Sequence, residues 1–318
     1  MSGLAPSAAR RVLALYERSV PGIATAPLVV VPHAVVAFVW FVGDSHVLRA
    51  REIDGAGGEA DFAAEQELLE RARALFPWRL PVPLPAGDDA PYVISGGLLW
   101  TLCERLPGEI LSPRRAPERL DDGLARRLVG LLRTFHAYTC GRLGKGDPGR
   151  VVREARANLA LAAGELTPPQ RARLEVARVR VMSAALSFEA AQLALVHGDF
   201  HYGNLLIDGD AKLTGVIDLH RCRVGHPLED LGYTAMMLMR GSTRGKGGEG
   251  LCSSLRDTIY DWYSGEDGLT AGRRLYHEYV LLAALSDLVL FKRAANLPQR
   301  EPHVAAQLEL LSKLATKA

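Results

Sequence analysis

A change of hydrophobic period near Pro107 constrains this chain more than any other feature of its 318 residues. Before it, the stretch LVVVPHAVVAFVWFVGDSHVLRA is rich in β-branched and aromatic residues and is broken at Pro32 and at Gly43-Asp44, which predicts three antiparallel strands between 28 and 51. Helical spacing returns between Ala60 and Leu75, where Phe62, Leu68, Leu69, Ala72 and Leu75 recur among charged positions. Two more strands, Tyr92–Ser95 and Leu98–Glu104, flank Gly96-Gly97, a hairpin signal because glycine tolerates positive φ. Beyond Pro107 the period is that of helices, with Leu120, Leu124, Leu128, Leu131, Leu132 and Phe135 on one face and a similar pattern from 171 to 189. A short helix over 6–18, with Val12, Leu13, Leu15 and Tyr16 on one side, precedes the strands and stops at Pro21-Gly22. The expectation is an α+β protein of two lobes, a β-rich lobe over 1–106 and a mainly helical one over 107–318.

Composition removes several classes of function. Lys plus Arg number 38 against 36 Asp plus Glu, a net charge of +2 that nominates neither nucleic acid nor an acidic membrane surface as partner. The four cysteines, Cys103, Cys140, Cys222 and Cys252, are far apart, with no paired spacing for zinc or a disulfide framework. The N-terminal stretch has arginines inside its apolar pattern, and the longest apolar runs fall well short of the roughly 20 residues of a membrane helix. A cytoplasmic protein with reduced thiols is expected, its oligomeric state open.

The helical part is interrupted between about 193 and 217. Short apolar runs there enclose the polar loop His197-Gly198-Asp199-Phe200-His201-Tyr202-Gly203-Asn204, an Asp208-Gly209-Asp210 turn follows, and Ile217-Asp218-Leu219 closes the segment. Phosphoryl transfer needs a carboxylate to orient the attacking hydroxyl and oxygen ligands to hold magnesium on the nucleotide phosphates. His197, Asp199, Asn204 and Asp218 reproduce the order and spacing of these groups in the protein-kinase catalytic loop and the hairpin after it. A different class of function stays open: His197, Asp199 and His201 alternate and could share one face as ligands of a metal-dependent hydrolase. So does a nucleotide-binding scaffold without catalysis.

Residues 195–233 resemble the aminoglycoside phosphotransferase and choline kinase branch of the protein-kinase-like enzymes, whose Gly-x-Pro-x-x-Asp-Leu run appears as Gly225 to Leu231. The resemblance implies a two-lobed protein-kinase-like fold and transfer of the γ-phosphate of ATP, with GTP as the alternative donor, to a hydroxyl of a small molecule. Asp199 is then the catalytic carboxylate, Asn204 and Asp218 hold Mg²⁺, and His197 and Asp230 are structural supports. In the first lobe Arg49 stands where protein kinases place a phosphate-contacting Lys, Glu65 is its ion-pair partner, and Cys103, Glu104 and Leu106 resemble the adenine-facing hinge. The sequence departs from the kinase pattern in Arg49 for Lys, in Pro32-His33-Ala34 where a glycine-rich phosphate loop belongs, and in Leu219-His220 after the metal Asp. Asp257, Asp261, Trp262 and Glu266, with Tyr263 and Asp267 beside them, are read as an acidic and aromatic acceptor wall suited to an amino sugar or quaternary amine. The family's acceptors include antibiotics and amino sugars, towards which this sequence leans, and metabolites such as choline and homoserine. Gly241 to Gly250 reads as a mobile loop.

Overall fold

The structure is a computed structural model that describes residues 6–31, 38–53, 58–87, 89–111, 122–147, 149–185, 192–210, 212–243, 251–265, 270–293 and 300–316. The chain packs into two compact units, the first of residues 1–69, 77–109 and 206–217 and the second of 70–76, 110–205 and 218–318.

The first unit is built on a five-stranded antiparallel sheet ordered β1-β2-β3-β5-β4. Its strands are β1 (Leu28–Val30), β2 (Phe38–Val42), β3 (His46–Glu52), β4 (Val93–Ser95) and β5 (Leu98–Glu104). The β4–β5 turn falls on Gly96 and Gly97, both at positive φ (62° and 74°), a conformation a Cβ would oppose. Alternation along the strands sends Trp40, Val42, Leu48, Ala50, Trp100 and Leu102 to one face, where the indoles of Trp40 and Trp100 stack 5.6 Å apart. Helix α1 (Pro6–Leu13) covers this face with Ala9, Val12, Leu13 and Tyr16. Leu15, expected on the buried side, is 49% exposed. The helix tightens to a 3-10 turn over Ala14–Tyr16, and the smaller number of residues per turn brings Tyr16 inward and turns Leu15 out. The other sheet face carries Arg49 and Arg51, and α2 (Gly58–Arg73) supplies Glu65, which bonds Arg51 at 3.1 Å.

In the second unit, helices α3 (Asp122–Thr139), α4 (Gly149–Ala162), α5 (Pro168–Ala185), α6 (Leu228–Thr243), α7 (Leu251–Ser264), α8 (Thr270–Arg293) and α9 (Arg300–Thr316) pack around buried leucines, alanines and tyrosines. Helix α3 buries Leu128, Leu132 and Phe135 as its spacing predicts, whereas Leu120 lies outside the described residues. Helices α6 and α8 meet most closely at Gly232, where a Cβ would stand 2.7 Å from the Tyr279 carbonyl carbon. Residues 241–243, expected in a loop, are the last turn of α6, and 244–250 lie outside the described residues. No described helix is long and apolar enough to cross a membrane.

Between the helices run short strands: β6 (Glu109–Ile110), β7 (Ala194–Val196), β8 (Leu205–Ile207), β9 (Leu213–Val216) and β10 (Arg223–Gly225). Strands β6, β8 and β9 form one sheet in the order β6-β8-β9, while β7 and β10 form an antiparallel pair in which Val196 faces Arg223. The β8–β9 turn is fastened by Asp208, whose carboxylate accepts from the Lys212 amide at 2.8 Å.

Candidate active site

The candidate site grows from the end of β7. Val196 is the last strand residue, and Gly198, at φ +80°, turns the chain so tightly that a Cβ there would stand 2.7 Å from the Cβ of Arg221. Because β7 pairs with β10, the loop after β7 and the segment before β10 run side by side, which brings Gly198 against Arg221.

The loop is fixed from behind by buried side chains. Asp230, fully buried in the first turn of α6, accepts from the His197 amide on Oδ2 and the Gly198 amide on Oδ1, each at 2.7 Å. The imidazole of His136, on α3, bonds the same Oδ2 at 3.1 Å. Burial alone would raise the Asp230 carboxyl; the hydrogen bond and charge of His136, with the His197 ring and amide, outweigh it and hold the group below the ordinary carboxylate range. Thr234 donates to the Phe200 carbonyl at 2.8 Å, and Thr139 accepts the Leu195 amide at 3.0 Å. Thus α3 and α6 satisfy main-chain groups that a buried irregular loop would otherwise leave unpaired.

Within the loop, His197 is fully buried, packs on Phe135 and Phe200, and accepts the Asp199 amide on Nδ1 at 3.2 Å. A 3-10 turn over Tyr202–Asn204 returns the chain, so that Asn204 Nδ2 reaches the Asp199 carbonyl at 2.9 Å and Oδ2 at 3.3 Å. His201 Nδ1 accepts the Gly203 amide at 3.0 Å, which places the ring proton on Nε2. That atom stands 3.5 Å from Asp199 Oδ1. Tyr233 is hydrogen-bonded to the same carboxylate, its phenol pushed well above its ordinary value by burial, by the charges of Asp199 and Asp287 and by that hydrogen bond.

Asp218 takes φ +64°, a left-handed conformation that an aspartate tolerates better than most residues and that concentrates at functional sites. Its Oδ1 is bonded by His220 Nδ1 at 2.6 Å. The hydrolase reading required His197 and His201 to share a face with Asp199. Instead His197 turns into the core, and no group of three or more His, Cys, Asp or Glu side chains among the described residues is placed to hold a metal.

The remaining sequence candidates are distributed as follows. Arg49 faces Thr101 across the β3–β5 ladder, and Glu65 pairs with Arg51, whose guanidinium also lies 5.2 Å over the Phe62 ring. Half-buried Cys103 and exposed Glu104 end β5 opposite Val47 and His46, and Leu106 packs where a Cβ on Gly215 would be. On α7, Asp257 bonds His277 at 2.8 Å and Asp261 pairs with Arg273, so basic side chains of α8 already meet both carboxylates. Burial and Arg256 lower His277 despite its Asp257 partner. Trp262, which follows Asp261 in sequence, is half-buried, and Tyr263 bonds His136. Glu266, Asp267 and Pro32-His33-Ala34 lie outside the described residues. Sequence reasoning missed Arg51, His136 and Thr139; of these only Arg51, two positions from Arg49 on the same strand face, left a local signal.

The sequence profile described as "Phosphotransferase enzyme family" matches residues 32–275. The chain belongs to this phosphotransferase family. No curated protein sequence matches it. Among solved structures it is similar to wild-type aminoglycoside 2'-phosphotransferase-IIIa in its GDP complex, at 15% identity and a TM-score of 0.62, covering 95% of this chain and 97% of that one. It is also similar to macrolide 2'-phosphotransferase type I, at 16% identity and a TM-score of 0.57, covering 98% and 99%. Macrolide 2'-phosphotransferase MphH from Brachybacterium faecium matches at 19% identity and a TM-score of 0.55, covering 93% and 97%. The fold of this phosphotransferase is therefore the protein-kinase-like one, a small antiparallel-sheet part and a mainly helical part. Family membership and these neighbours support a phosphotransferase that uses a nucleotide and acts on a small molecule.

Proposed function

We propose that the chain transfers the γ-phosphate of ATP to a hydroxyl of a small molecule, with Asp199 as the carboxylate that receives the hydroxyl proton. The observation that carries this reading is the hold on Asp199: Asn204 Nδ2 reaches its carbonyl at 2.9 Å and Oδ2 at 3.3 Å, and Asp230 fixes the two amides that precede it. In the transfer, a bond forms between the hydroxyl oxygen and the γ-phosphorus as the bond to the β,γ-bridging oxygen breaks, and the hydroxyl proton passes to Asp199. Asn204 keeps the carboxylate aimed, and the Asp230 clamp keeps the turn that carries it.

Asn204 and Asp218 fit a hard divalent cation. The Asn204 amide turns its nitrogen to Asp199, which leaves Oδ1 for a ligand, and Asp218 adds a carboxylate in the adjoining segment. Two protein oxygens suffice because Mg²⁺ keeps waters and phosphate oxygens in its shell; when bound, it neutralises charge on the transferring phosphate. Arg49 is assigned to the phosphates and the Cys103–Leu106 strand end to the base, with Glu65 and Arg51 fixing α2.

The acceptor class we favour is an aminoglycoside-like antibiotic or amino sugar. It is supported by structural neighbours in complex with kanamycin and with gentamicin. The test is Mg²⁺-dependent ADP release from ATP, repeated with GTP, across aminoglycosides, macrolides, amino sugars, choline and homoserine. Stimulation by one class that falls by orders of magnitude in Asp199→Ala, with ATP affinity retained, is the expected result. Turnover by Asp199→Ala at the wild-type rate would refute the assignment.

A further inference from the structure

The chain of side chains behind the catalytic loop does not stop at His136. Its Nε2 faces Asp230, and its Nδ1 lies 2.7 Å from the hydroxyl of Tyr263, near the end of α7. Burial, reinforced by the Asp230 charge, keeps this phenol protonated far above neutral pH. The hydroxyl is thus hydrogen-bonded to Nδ1, and Nε2 on the other side of the ring donates to Asp230. Asp230 then collects three donors, from His136 and from the amides of His197 and Gly198, and the residue after those amides is Asp199. The imidazole of His136 is buried and meets the Tyr263 ring edge-on, so it has a defined seat between α3, α6 and α7.

We propose that Tyr263 is a positioning residue for phosphoryl transfer: through His136 and Asp230 it ties helix α7 to the main chain that carries Asp199. Helix α7 also carries Asp257, Asp261 and Trp262, so any shift of this helix by an acceptor is transmitted to the catalytic carboxylate by hydrogen bonds. The link to catalysis rests on the function proposed above; the mechanical link does not.

The test uses the full chain and Tyr263→Phe, which removes one oxygen and keeps the ring. Amide hydrogen exchange at His197 and Gly198, read by NMR, is expected to accelerate about tenfold while amides in the middle of α8 keep their rates. With Mg-ATP and the acceptor found in the panel, or water where none is found, kcat is expected to fall about fivefold to tenfold and the nucleotide KM to stay within about twofold. In a His136→Phe background, where the link is already cut, adding Tyr263→Phe should change either readout by less than about twofold. Unchanged exchange at His197 and Gly198 in Tyr263→Phe, or full additivity of the two substitutions, would overturn the proposal. Accelerated exchange in Tyr263→Phe together with wild-type turnover by Asp199→Ala would retain the mechanical link and refute the assigned function instead.

Discussion

Replacing Asp230 with Asn removes a charge and one acceptor from a buried site while changing the side-chain volume hardly at all. The carboxylate serves three donors, the His197 amide and His136 Nε2 on Oδ2 and the Gly198 amide on Oδ1. An asparagine keeps the most bonds by putting its oxygen where Oδ2 stands. Its NH₂ then faces the Gly198 amide, a donor against a donor at a separation of only 2.7 Å. Leaving that buried amide unsatisfied costs about 1–3 kcal/mol, and loss of charge from the other two bonds adds about 1 kcal/mol each. The sum, about 3–5 kcal/mol, is a large share of the 5–15 kcal/mol that holds a typical domain together. Urea unfolding followed by circular dichroism at neutral pH measures it directly. A loss under about 1 kcal/mol would show that Asp230 is not the clamp described, whatever its distances.

The same substitution has a pH signature whose sign follows from the carboxyl's lowered value. A group whose folded pKa lies below its unfolded one stabilises the fold above the unfolded value, near 4, and that stability is lost as pH falls through the folded value. Wild type should therefore lose stability more steeply below about pH 4 than Asp230→Asn does.

Two other perturbations probe the frame around the site. Gly232→Ala places a methyl 2.7 Å from the Tyr279 carbonyl carbon and 2.9 Å from its oxygen; separating α6 from α8 is expected to cost about 1–3 kcal/mol despite alanine's better helix propensity, and a variant as stable as wild type by thermal melting would refute the close approach. His226, stacked on Tyr279, is lowered to about 4 by burial and by the charge of His136. The unfolded chain binds this proton near pH 6.5 and the folded one only near 4, so about 3 kcal/mol of stability should drain away as pH falls between those values. His226→Phe should flatten that slope, and an unchanged slope would mean that the ring is solvated.

What the sequence disclosed and what it concealed divide by the range of the interaction. The Gly96-Gly97 hairpin, the α3 face and the spacing of Asp199 and Asn204 are local: a turn needs two residues, a helix face a few turns, and the bond from Asn204 to Asp199 closes over five positions. Strand β10 escaped because three residues, one of them Arg223, carry no alternation to read, although β10 sets Arg221 beside Gly198 at the start of the catalytic loop. Leu15 escaped because the change from α to 3-10 winding leaves no mark in the apolar pattern. The partners of Asp230 escaped for a stronger reason. They lie 32, 33 and 94 residues away, two are main-chain amides that exist at every position, and the third is a histidine at an apolar helix spacing. A motif can thus name the group that meets the substrate, because that chemistry restricts the residue type. It says much less about the groups that aim it, since a backbone amide, a threonine hydroxyl or an imidazole can each satisfy a buried carboxylate or carbonyl, and only the packing of α3, α6 and α7 decides which of them arrives.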